Sequence, residues 1–165
     1  MISASTTDSG APEATPVPWP PATPFDVAAL YECEVIPAYI EAEALPDLTP
    51  EETGVVLKWF EGGIVYDTAR PSEAITLSAF FDEYAAGMEQ IPDKDVPYAV
   101  GDFHAAKIRE YGMLSAGYNA VAEGDLFAAM VYTEQEEEVS AEIDRAYTYA
   151  ERRCGKAWTN AWEGE

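Results

Sequence analysis

Positive charge is scarce in this chain. Of 165 residues only 9 are Lys or Arg, against 31 Asp or Glu, for a formal net charge of −22. Binding to a phosphate backbone rests on Lys and Arg that displace counterions, and docking on an anionic membrane needs basic clusters, so the composition argues against both. Like charge also favours solubility and keeps copies of the chain apart. Three uses of such a surface are left: a solvated exterior, for which a high-salt cytoplasm is one setting, a face for cations or a basic partner, and a mimic of nucleic acid.

Histidine is scarcer still, with His104 alone. A Ser-His-acid triad would have to use it, and no Gly-x-Ser-x-Gly elbow accompanies it. A ferritin-like di-iron bundle needs two Glu-x-x-His motifs, and position 101 is Gly, not Glu. Beside Phe103 at the edge of a helical stripe, His104 reads as a histidine at the margin of a core. Phosphate-binding loops and dinucleotide fingerprints are missing. "DKDVPYAVGD" lacks the central Gly of a calcium loop, and paired glycosidase carboxylates cannot be singled out among 31 acids. The chain therefore leans to a non-enzymatic protein, with no cofactor and no metal expected. No run of 18 apolar residues exists, so no transmembrane helix is expected. "MISASTTDSG" has neither the basic nor the apolar region of a signal peptide. That suits a cytoplasmic protein and the mature part of a secreted one alike.

The length and an apolar content of 48% suit one folded domain. Residues 1–24 differ from the rest: they hold six of the twelve prolines, with Ser, Thr, Ala and Gly, and no Lys or Arg. Such a segment buries too little apolar area to offset chain entropy, so it is expected to be a flexible tether that ends near Thr23.

Residues 25–165 alternate helical patterns with turn signals. "TPFD" and "TPEE" each offer a Thr cap, a Pro for the first helical position and an acid in the first turn. The first opens a helix of roughly 20 residues, with a kink or break expected at Pro37 and an end at Pro46. The second opens a helix with Val55, Val56, Trp59 and Phe60 on one face, stopped by Gly62 and Gly63. "IVYDTARPSEAITL" fits either an extended loop or a β-like excursion. Leu77, Phe80, Phe81, Tyr84 and Met88 then keep helical spacing. After the turn "PDKDVP" a stripe runs from Val100 and Phe103 to Tyr118 and Val121. "EGD" at 123–125 makes the flanking helices antiparallel neighbours. The last helix is predicted from about Leu126 to Trp158, with an apolar seam of Val139, Ile143, Ala146, Ala150, Cys154 and Ala157. The fold class is all-α, a bundle of four to five helices behind the tether.

The two cysteines, Cys33 and Cys154, form no metal motif. Arg152, Arg153 and Lys156 crowd Cys154 and would depress a thiol pKa, yet cations are also what a helix C-terminus favours. Three states are open: a disulfide, two buried free thiols, or one reactive thiol. In an up-down bundle the first and last helices are antiparallel. Counted from the nearby helix ends, Cys33 lies about 13 Å deep and Cys154 about 6–10 Å deep. The two depths favour the disulfide, and a persistent disulfide implies an oxidising compartment.

Two further features are candidate surfaces. Glu134, Glu138 and Glu142 share one helix face, as a site for a cation or basic partner or as a solvated exterior. Trp158 and Trp162, four apart, suit either anchors for a partner or a cap over the bundle end.

A Ser/Thr/Pro/Ala-rich tether, here Ser3–Pro24, ahead of an acidic helical domain with two distant cysteines, Cys33 and Cys154, resembles the mature part of a bacterial secreted protein or lipoprotein of the kind common in actinobacteria. The resemblance is one of composition. The lipid-modified cysteine that a lipoprotein carries before such a tether is absent from this sequence. The resemblance implies an extracytoplasmic location, secreted or at the cell surface, with attachment to a membrane through the precursor. The alternative location is cytoplasmic. The expected function is non-enzymatic binding of a ligand or protein partner, without direct contact to nucleic acid. The alternative is an acidic nucleic-acid mimic that sequesters a basic protein.

Overall fold

The computed structural model describes residues 32–43 and 45–163, with the side chains of Trp162 and Glu163 outside that description. The expected tether, residues 1–24, and the "TPFD" cap lie outside the described residues. The described chain is all-α: α1 Ile36–Ala42, α2 Pro50–Phe60, α3 Pro71–Glu89, α4 Gly101–Glu123, α5 Leu126–Cys154 and α6 Lys156–Glu163. Residues 32–34 are also helical, with a turn at Val35.

Local chemistry explains most of the boundaries. The Thr49 hydroxyl accepts from the Glu52 N–H at 3.3 Å, and the Glu52 carboxylate accepts from the Thr49 N–H at 2.8 Å, a reciprocal cap that opens α2. α2 stops at the expected glycines, where the Gly62 N–H returns to the Trp59 carbonyl at 2.8 Å. The ambiguous stretch after it is loop up to Arg70, and helix from Pro71 on. Glu73 fixes that start: its carboxylate accepts from the Arg70 N–H at 3.0 Å and from the Arg70 guanidinium at 2.8 Å. Asp125 caps α5 by accepting from the Ala128 N–H at 2.9 Å.

Two boundaries differ from expectation. The first break comes at Val35, before Pro37. Proline falls in the first turn of α1, where its missing N–H has no partner to lose. The last helix does not run unbroken to Trp158. It ends at Cys154, and Gly155, with φ +52° and ψ −125°, adopts a backbone that side-chain-bearing residues avoid. α6 then starts in a new direction and carries Trp158 back into the core.

α3 packs along most of α4, and α4 along most of α5. Ser78–Ser115, Tyr84–Tyr111 and Phe103–Tyr147 contacts show that each pair is antiparallel. Most of the buried side chains fall into two clusters. The upper one gathers Val56, Leu77, Phe81, Leu114 and Tyr118 from α2, α3 and α4. The lower one gathers Ile36, Tyr39, Phe103, Ala150 and Trp158 from α1, α4, α5 and α6.

Candidate functional site

Between the two clusters the packing leaves a cavity of about 480 Å³. Its walls come from both sides: Phe80 and Tyr84 of α3, Tyr111 of α4, and below them Phe103 and Tyr147. Leu45 and Phe60, both exposed, line its outer edge. Phe80 and Tyr84 stack at 6.0 Å, and Tyr84 meets Tyr111 edge to face at 4.6 Å. Burial pushes both phenols well above their ordinary range, so they remain protonated hydrogen-bond groups.

Two charged groups enter this aromatic wall. The Lys107 ammonium lies 4.4 Å from the Tyr111 ring centroid and 2.5 Å from the Glu110 carboxylate. Glu43, at the C-terminal cap of α1, lines the same space, and its Oε1 is buried with no hydrogen-bond partner among the described residues. Burial pushes its carboxyl above the ordinary carboxylate range, opposed by the Tyr39 hydroxyl and by Lys107. The Tyr39 hydroxyl itself lies at hydrogen-bonding distance, 3.0 Å, from His104 Nδ1. Leaving a carboxylate oxygen desolvated costs free energy that a donor from a bound molecule would recover. The volume is within the range of small-ligand sites, and so is an apolar wall with a few polar groups.

His104 is half-buried beside the lower cluster. Burial pushes its pKa down and so favours the neutral ring, partly opposed by Asp93. Among the described residues no cluster of three His, Cys, Asp or Glu side chains is placed to hold a metal, and no helix is long and apolar enough to cross a membrane.

Cys33 and Cys154 come together at disulfide distance, with S–S 2.06 Å and Cα–Cα 5.3 Å. Of the basic residues beside them, Arg153 pairs with Glu32 at 3.5 Å. The three candidate glutamates do not act alike. Glu134 and Glu138 are exposed, whereas Glu142 is paired with Arg109 across α4 and α5. Trp158 is 0% exposed, edge to face with Phe103 at 5.2 Å and Tyr147 at 5.3 Å. No partner can reach it, so Trp158 is a packing cap and not an anchor, because the turn at Gly155 folds it inward. The side chain of Trp162 lies outside the described residues.

Glu43 and Lys107 escape sequence reasoning. Glu43 sits in "EAEAL", where nothing separates it from its acidic neighbour Glu41. Lys107 does leave a trace: Phe103, Lys107 and Tyr111 are spaced i, i+4, i+8, a lysine inside an aromatic stripe. The chain matches no protein-family model, and no curated protein or solved structure is similar to it.

Proposed function

We propose that this chain is a non-enzymatic, extracytoplasmic binding domain that holds a small aromatic amine in the cavity between its two cores. The observation that carries the reading is Glu43 Oε1, buried in a wall of Phe and Tyr rings with no hydrogen-bond partner among the described residues. An ammonium group would supply both the missing donor and a charge that favours the ionised carboxylate. The surrounding rings attract the aromatic part and, through their faces, the cation. The location is supported by the Cys33–Cys154 pair, since lasting disulfides belong to oxidising compartments.

The test compares phenethylamine with phenethyl alcohol and phenylacetate by calorimetry and by NMR shifts of the Tyr84 and Tyr111 rings. The amine is expected to bind best. Glu43→Gln should weaken it by about tenfold while leaving the alcohol nearly unchanged, the size expected for a lost charged hydrogen bond. Equal affinities of amine and phenylacetate, or an amine affinity indifferent to Glu43→Gln, would reject the reading.

A further inference from the structure

A second feature lies at the far end of the bundle from the cysteine pair. The first turns of α5 present large apolar side chains to solvent: Phe127 is 80% exposed, Met130 66%, and Leu126 and Val131 are exposed as well. Among the described residues nothing covers these side chains. Beside them opens a groove of about 610 Å³, walled by Trp59, Val65, Tyr66 and Met130. Its charged lining residues are Asp67 and Glu136, with no Lys or Arg.

Charge continues the pattern along the helix. Phe127, Val131, Glu134 and Glu138 are spaced i, i+4, i+7, i+11, so one face of α5 is apolar at its start and acidic farther on. No Lys or Arg occurs between Arg109 and Arg145. Among the described residues, no ion pair engages Glu134 or Glu138. The face from Phe127 to Glu138 is roughly 17 Å long, about three helical turns.

We propose that this face of α5 and the groove beside it dock a basic amphipathic helix from another protein. Its apolar side chains would cover Phe127, Val131 and Met130, and its Lys or Arg residues would meet Asp67, Glu134 and Glu138. Helix-in-groove recognition supplies the contact, and charge complementarity sets the sign of the partner. A second copy of this chain is disfavoured, because it would bring Glu134 and Glu138 and a net charge of −22 against the same charges. An anionic membrane is disfavoured for the same reason.

The probe is a fluorescent 14-residue peptide of Leu and Lys in an amphipathic helical pattern. Its controls are the same composition scrambled and the same pattern with Glu in place of Lys. Binding is read by anisotropy at several salt concentrations. The patterned Leu/Lys peptide should bind about tenfold or more tightly than the scrambled one, and the Leu/Glu peptide should not bind. The double variant Phe127→Asp, Met130→Asp changes only exposed positions, so circular dichroism should be unchanged while binding falls about tenfold or more. Glu134→Gln with Glu138→Gln should weaken binding and flatten its salt dependence. Glu43→Gln should leave peptide binding intact, which separates this site from the aromatic cavity. Equal binding of patterned and scrambled peptides, no binding of either, or indifference to the Phe127 and Met130 changes would overturn the proposal. So would light scattering that shows this face closing a dimer.

Discussion

The two cores of this bundle are held by different means. The upper one lies between long elements: α3 has 19 residues and α4 has 23. Their rings stack in series, Phe81 against Tyr111 and Tyr118 at 5.9 and 6.0 Å. Helices of that length form one continuous buried seam, held by packing and by a few hydrogen bonds such as Ser78–Ser115. The lower core is assembled from pieces: a 7-residue α1, an 8-residue α6 and two 3₁₀ turns, Asp93–Asp95 and Tyr98–Val100. Helices so short are marginal by themselves. Here Trp158 supplies one large buried surface, and the Cys33–Cys154 pair joins the segment before α1 to the end of α5. The aromatic cavity lies at the border, where the regular seam gives way to the assembled one.

That contrast can be broken most directly by reduction. The cysteines are 121 positions apart, so chain entropy assigns the link about 4–5 kcal/mol. Intact mass after thiol alkylation should show no free thiol before reductant and two after it. Hydrogen exchange in reductant should then release α1 and α6 first, while the upper halves of α3 and α4 keep their protection. A single coincident loss across the molecule would show that the two cores are one unit.

A middle-sized effect should sit in the upper core alone. A Cβ on Gly117 would lie 2.4 Å from the Tyr66 hydroxyl oxygen and 2.5 Å from the ring carbon that bears it. That hydroxyl donates to Glu136, so the ring cannot yield without losing the bond. Gly117→Ala should cost about 1–3 kcal/mol in urea unfolding, in the range of overpacked core sites. Exchange rates in α1 and α6 should not change.

The smallest effects are in pH dependence, and they have opposite signs. At the start of α3, the Arg70 guanidinium and backbone N–H, with Lys58, hold Glu73 down to about 2 from 4.5. A depressed carboxyl contributes stability above pH 4.5 that is lost as pH falls toward 2. Glu43, at the border of the lower core, is raised by burial. It therefore costs stability at neutral pH, and that cost is relieved as pH falls through its folded pKa toward 4.5. Unfolding curves across this range should lose the first slope in Glu73→Gln and the second in Glu43→Gln.

Much of the architecture was legible because it rests on short-range chemistry. "TPEE" carries its own cap, the Gly62–Gly63 pair takes a left-handed backbone at Gly62 that ends α2, and "EGD" leaves room only for an antiparallel neighbour. Cys33 and Cys154 meet as expected, although the count of depths assumes a last helix running to Trp158 and α5 ends at Cys154 itself. The positions misread, left open or not singled out depend on direction in space. Whether Gly155 turns the chain or lets it continue is settled by what lies below it. Trp158 shares its helical spacing with both a buried cap and an exposed anchor. Phe127 and Met130 look like ordinary core residues at helical spacing, and only the packed bundle shows that nothing described covers them.

By itself, the sequence determined an acidic all-α chain, both ends of α2, and the neighbour relations of α4 and α5. Local hydrogen bonds and period alone suffice for these. The tertiary structure decided that most buried residues split into two cores, that a cavity remains between them, and that one glutamate oxygen there has no hydrogen-bond partner among the described residues. Burial of a particular side chain is a property of everything packed around it. No window of neighbours along the chain contains that information.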